Sequence, residues 1–92
     1  MRVYLAGRIN GDPDYHDKFA KAADKLRSEG WEVFNPAAAN QEGRPLPDIM
    51  AHVLSQLCQC QAIAFLPCWV LSGGCRVEFE LAQYLGIEVI RL

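Results

Sequence analysis

With 92 residues, 51% of them apolar, the chain has material for one globular domain and is too well supplied with hydrophobic side chains to be disordered. A formal net charge of −2 gives no basic footprint for a nucleic-acid polymer or an anionic membrane, and no apolar run reaches membrane-spanning length. The amino terminus reads as a strand and not as a signal peptide, so the expected residence is cytoplasmic, and a domain this small is expected to cover an apolar face by forming a homodimer.

In chain order, strand-like and helix-like segments alternate. Arg2–Ala6 is a short apolar strand ended by Gly7. After a loop containing Asn10-Gly11, Asp12 is a natural N-cap with Pro13 at the first helical position. The helix then carries a stripe of Tyr15, Phe19, Ala22, Ala23 and Leu26, an outward Asp17–Lys21 pair, and a stop at Gly30. Residues 31–34 form a second strand, halted by Asn35-Pro36. Residues 37–47 read as a loop, because Gly43, Pro45 and Pro47 oppose regular structure. Asp48 caps a second helix whose stripe is Met50, Val53, Leu54 and Leu57. Residues 62–66 are apolar throughout, as in a parallel strand covered on both faces. A loop over residues 67–74, a third helix to about residue 85, Gly86 and a fourth strand over residues 87–90 complete the chain.

A β-α-β-α-β-α-β series predicts a single α/β domain over residues 1–92: a small doubly wound, Rossmann-like parallel sheet of four strands with three helices. Right-handed crossovers favour strand order 2-1-3-4. Ligands bind such sheets beyond the carboxyl ends of the strands where the order reverses, here between strands 1 and 3. The crevice is expected between residues 7–11 and residues 68–74, with Asn35 approaching from strand 2.

Four cysteines, Cys58, Cys60, Cys68 and Cys75, have C-x-C-x7-C-x6-C spacing, which lacks the paired knuckles of common zinc sites and predicts no metal. They read as reduced thiols. Cys75 is either a small residue in a tight turn or a thiol whose pKa the start of the third helix lowers.

The third helix carries the main anomaly. Its core stripe at helical spacing is Glu78, Leu81, Ala82 and Leu85, so a carboxylate stands where packing asks for an apolar residue. Glu80 points elsewhere and can pair with Arg76. Glu78 is either a functional acid, balanced between the helix dipole and apolar neighbours, or a satisfied buried acid bonded to backbone or to Tyr4. Gly73 and Gly74 before it permit close approach to the open amides of the helix start, an anion site to which Ser72 adds a hydroxyl or which it merely caps. Neither a G-x4-G-K-S/T loop nor a G-x-G-x-x-G pattern is present.

Three segments in order, Tyr4-Leu5-Ala6-Gly7-Arg8-Ile9-Asn10-Gly11, Asn35-Pro36, and Leu66-Pro67-Cys68-Trp69 with Ser72-x-Gly74-x3-Glu78, resemble the nucleoside 2-deoxyribosyltransferase superfamily. Within it the chain resembles the 2′-deoxynucleoside 5′-phosphate N-hydrolases and looks closer still to small phage-associated relatives, and the likeness spans nearly the whole chain. The resemblance implies Glu78 as the nucleophile that attacks the anomeric carbon, forming a glycosyl-enzyme ester that passes the sugar to water or to another base. It implies contacts to substrate from Tyr4, Gly7, Arg8, Ile9, Gly11, Asn35, Trp69, Ser72 and Gly74, with Ser72 at a 5′-phosphate, and no cofactor. The implied partner is a small nucleoside or nucleotide.

Two departures stand out. Relatives often carry Asp at the start of strand 3 and another about one helical segment earlier, where this chain has Gln61 and Val53. His52 and Asp48 are the nearby replacements for protonating a leaving base, each with a plainer reading as surface residue or helix cap. Arg8 replaces the usual Pro or Ser, and is either a phosphate ligand or a solvated loop charge. Three functions therefore stay open: a deoxynucleotide N-glycosidase or deoxyribosyltransferase, a nucleotide-binding sensor or sponge without turnover, and a structural or partner-binding domain.

Overall fold

The computed structural model describes residues 1–38, 43–67 and 69–92. Cys68 and part of the expected 37–47 loop therefore lie outside the described residues. The elements are β1 (Arg2–Ala6), α1 (Tyr15–Ser28), β2 (Glu32–Phe34), α2 (Leu46–Leu57), β3 (Ala62–Phe65), a 3₁₀ turn (Trp69–Leu71), α3 (Gly73–Leu85) and β4 (Glu88–Arg91). All strand pairs are parallel and their order is β2-β1-β3-β4. The chain is thus the doubly wound α/β sheet that the alternation of elements predicts.

Period-two alternation in the two central strands builds two cores. Val3 and Leu5 of β1, with Ala62 and Ala64 of β3, pack against Phe19, Ala23 and Leu26 of α1. Tyr4 and Ala6, with Ile63 and Phe65, face the other way onto Val53 and Leu57 of α2 and Cys75 and Ala82 of α3. The small Ala62 and Ala64 leave room for the large Phe19 beneath α1. Tyr4 brings a hydroxyl to the buried part of the second face, where it meets α3.

The element ends differ from the sequence reading for identifiable reasons. Asp12 does not cap α1: its carboxylate accepts from the Asp14 amide at 3.0 Å and pairs with Lys18 at 2.7 Å, closing a turn that includes Pro13, and the helix starts at Tyr15. β2 and β4 each begin one residue late because the amide that would open the strand caps the preceding helix. Trp31 N–H donates to the Leu26 carbonyl and Ile87 N–H to that of Ala82, each after a glycine with positive φ. α2 starts two residues before its expected cap Asp48, since prolines in a first helical turn forfeit no helical hydrogen bond. On α3, Leu85 is 43% exposed and leaves the core stripe, which is Cys75, Glu78 and Ala82. The Asp17–Lys21 pair forms at 2.9 Å, whereas among the described residues Arg76 and Glu80 make no ion pair.

Candidate functional site

Glu78 is 6% exposed, the one charged side chain in the core among the described residues. It reaches Tyr4, whose hydroxyl donates to its carboxylate. The Cys75 thiol, one helical turn earlier, donates to the Gly7 carbonyl at 3.2 Å and also faces the Glu78 carboxyl. With a single hydrogen, the thiol serves one acceptor at a time. Two elements therefore hold the acid directly, β1 through Tyr4 and α3 itself, while the Gly7 carbonyl engages the Cys75 thiol beside it.

Burial pushes Glu78 up to about 7, against the hydrogen bonds from Tyr4 and then Cys75, which hold it down. The helix dipole is not what balances it, because Glu78 is the sixth residue of α3 and lies beyond the first turn where the dipole acts. The same burial, reinforced by the nearby carboxylate, raises Tyr4 far above the ordinary phenol range. Cys75 is pushed up to about 11, chiefly by burial. Of the two readings of Cys75 this favours the unactivated one: it is a buried, protonated donor in the first turn of α3.

Beside Glu78 lies a cavity of about 1040 Å³ at the carboxyl ends of β1 and β3, the point where strand order reverses. Of the residues singled out from sequence, Tyr4, Gly7, Arg8, Ile9, Gly11, Ser72, Gly74 and Glu78 line it. Gly7 is required by close packing, since a Cβ there would sit 2.6 Å from Leu66 Cδ1 and 3.0 Å from Phe19 Cζ. Gly11 turns the loop with φ +85°. Arg8 extends from this loop, and its Nε–H donates to the Asn10 carbonyl at 3.1 Å.

Ser72 caps α3, its hydroxyl oxygen accepting from Cys75 N–H at 3.2 Å, which leaves its own hydrogen to give. The amides of Gly73 and Gly74, first in the helix, have no intrahelical acceptor, and both glycines line the cavity. Ile49, Met50 and Val53 of α2 add an apolar stretch to the lining, and Met50 adjoins the helix start, its Sδ 4.0 Å from where a Cβ on Gly74 would sit. The cavity thus offers hydrogen-bond donors suited to an anion beside apolar surface suited to a flat group.

Asn35 and Trp69 are not among the lining residues. The Asn35 side chain folds back to accept from Ala37 N–H at 2.9 Å, and it is Pro36, Ala37 and Ala38 of that turn that reach the cavity. Trp69 packs into an aromatic cluster, 4.6 Å from Phe65 and 5.0 Å from Phe79 between ring centroids. The suggested stand-in acids also lie elsewhere. Asp48 is exposed in the first turn of α2, and the His52 ring meets the edge of Phe34 at 5.9 Å. Gln61 accepts from Arg2 N–H at 2.7 Å at the amino end of the sheet, roughly 13 Å from the cavity end at about 3.3 Å per residue.

Sequence reasoning missed Asp12 and His16, which line the cavity at the start of α1. Asp12 reads locally as a cap, and His16 falls off the apolar stripe. Only the position of α1 relative to the loop after β1 brings them in. Among the described residues, no three His, Cys, Asp or Glu side chains gather as a metal would need.

Fold and cavity define a Rossmann-like α/β domain with a pocket at its topological switch point and a buried acid in the pocket wall. The chain belongs to the DUF4406 family, a domain of unknown function whose model matches residues 1–91. No curated protein matches it.

Proposed function

We propose that this protein is an N-glycosidase or deoxyribosyltransferase of deoxynucleosides or deoxynucleoside 5′-monophosphates, with Glu78 as its nucleophile. One observation carries the reading: a core carboxyl pinned by Tyr4 faces a cavity large enough for a nucleotide, close to neutral in its protonation balance. The likeness to nucleoside 2-deoxyribosyltransferases supports the same assignment.

In this reading the 5′-phosphate sits on the Gly73 and Gly74 amides and the Ser72 hydroxyl, with Arg8 as countercharge. The base lies against the apolar wall of α2. The ionised Glu78 oxygen bonds to the anomeric carbon as the bond to the base nitrogen breaks, the bonding pair leaving with the base. Water, or a second base, then displaces the ester and returns the carboxylate. The Tyr4 hydroxyl positions the carboxyl and favours its charged, nucleophilic form. The test is base release from a panel of deoxynucleoside monophosphates by wild type and Glu78→Gln. The reading requires release by the wild type and none above background by the variant.

A second reading is a nucleotide-binding protein without turnover. It is favoured by Val53 on the cavity wall and by Gln61 at the far end of the sheet, the two places where relatives often carry acids. Calorimetry separates the two, since this reading demands tight binding with nucleotide recovered intact. Self-association belongs to both readings: Val77, Tyr84 and Leu85 of α3 expose apolar surface that a second copy would cover, which sedimentation velocity at micromolar concentration measures.

A further inference from the structure

A leaving base departs with the bonding pair and needs a proton, yet the groups beside Glu78 are committed to other contacts. The Tyr4 hydroxyl is spent on the Glu78 carboxylate, and the Cys75 thiol on the Gly7 carbonyl. Asp12 is held as a carboxylate by Lys18 at 2.7 Å and by the Asp14 amide. Arg8 does not release its proton. Asp48, His52 and Gln61 do not line the cavity.

His16 is an exposed residue that lines the cavity from the first turn of α1, its ring tilted by 31° against that of Tyr15 at 4.1 Å between centroids. Among the described residues neither ring nitrogen has a hydrogen-bond partner. Arg8 and Asp12 of the preceding loop, with Glu78, Tyr4 and Cys75, also line the same cavity. Histidine is the side chain that exchanges protons near neutral pH and the most frequent general acid–base group.

We propose that His16 is the proton donor to the leaving base, an inference that rests on the glycosidase reading above. As Glu78 bonds to the anomeric carbon and the bond to the base breaks, the imidazolium gives its proton to a ring nitrogen of the base. The neutral imidazole then takes a proton from the water that attacks the ester, so that one water is consumed and both side chains regain their starting forms.

The experiment compares two leaving groups. Wild type, His16→Gln and Glu78→Gln are assayed on the best natural deoxynucleoside monophosphate and on its counterpart whose base leaves without needing a proton, N7-methylated for a purine or 5-nitro for a pyrimidine. His16→Gln should lose about a hundredfold or more in kcat on the natural base and stay close to wild type on the activated one. Glu78→Gln should fail on both. Equal rates for wild type and His16→Gln on the natural base, or equal losses on both bases, overturn the role of His16 and leave the glycosidase reading standing. No release from either nucleotide by the wild type removes that reading and the role of His16 together.

Discussion

Replacing Glu78 by Gln retains the shape of the side chain and an oxygen that accepts from Tyr4, and removes only the ionisable group. In the folded protein, burial carries this carboxyl from its ordinary 4.5 to about 7. The fold therefore favours the protonated acid. Its contribution is fully present below pH 4.5 and is lost as pH rises through about 7. The interval between those values, at about 1.36 kcal/mol per pH unit, amounts to about 3 kcal/mol of stability forfeited on the alkaline side. In a domain of this size that corresponds to roughly 10–25 °C in Tm. Thermal unfolding of wild type and Glu78→Gln, followed by circular dichroism from pH 4 to 8.5, isolates the effect, because every other titrating group is common to both. The variant should gain on the wild type by about 3 kcal/mol across this range, with the change centred between pH 4.5 and 7. A difference that stays flat with pH, or that grows in favour of the wild type, refutes the assignment of a buried, partly neutral Glu78.

Further expectations follow from the same geometry. Tyr4→Phe removes the donor that lowers the Glu78 pKa, so the midpoint of the pH-dependent loss should move to higher pH, with about 1–3 kcal/mol lost in urea unfolding. Gly7→Ala drives a methyl into Leu66 and Phe19 and should cost about 1–3 kcal/mol by the same measurement. Ser72→Ala removes the cap of α3, at about 0.5–2 kcal/mol, and should weaken deoxynucleotide binding in calorimetry more than binding of the unphosphorylated nucleoside. Ile63→Ala opens a hole between β3 and the helices on its face, and should cost about 2–5 kcal/mol without altering the pH dependence set by Glu78.

The parallel sheet, its strand order and the placement of three helices were legible because each rests on local pattern plus one chiral rule. Continuous apolar runs mark covered strands, helical stripes mark the crossovers, and right-handed crossovers leave few arrangements. Glu78 stood out for the same reason, as a break in an otherwise apolar helical stripe. Element ends were less legible. Whether the amides of Trp31 and Ile87 join a ladder or cap a helix depends on glycine conformations that sequence spacing does not register.

What the chain alone determined is therefore which faces are buried and which acid violates that burial. The tertiary structure decided which of the partners offered for a buried acid, backbone or Tyr4, the carboxyl meets. Tyr4 and Glu78 are 74 residues apart and are brought together because strand alternation and helix register aim both at one side of the sheet. Likewise, Asp12 and His16 enter the cavity wall, while Asn35 turns back on its own loop and Trp69 joins an aromatic cluster. Periodicity along a chain records which side of an element faces inward. The partner found there depends on how elements distant in sequence are docked, and that is fixed by packing across the sheet.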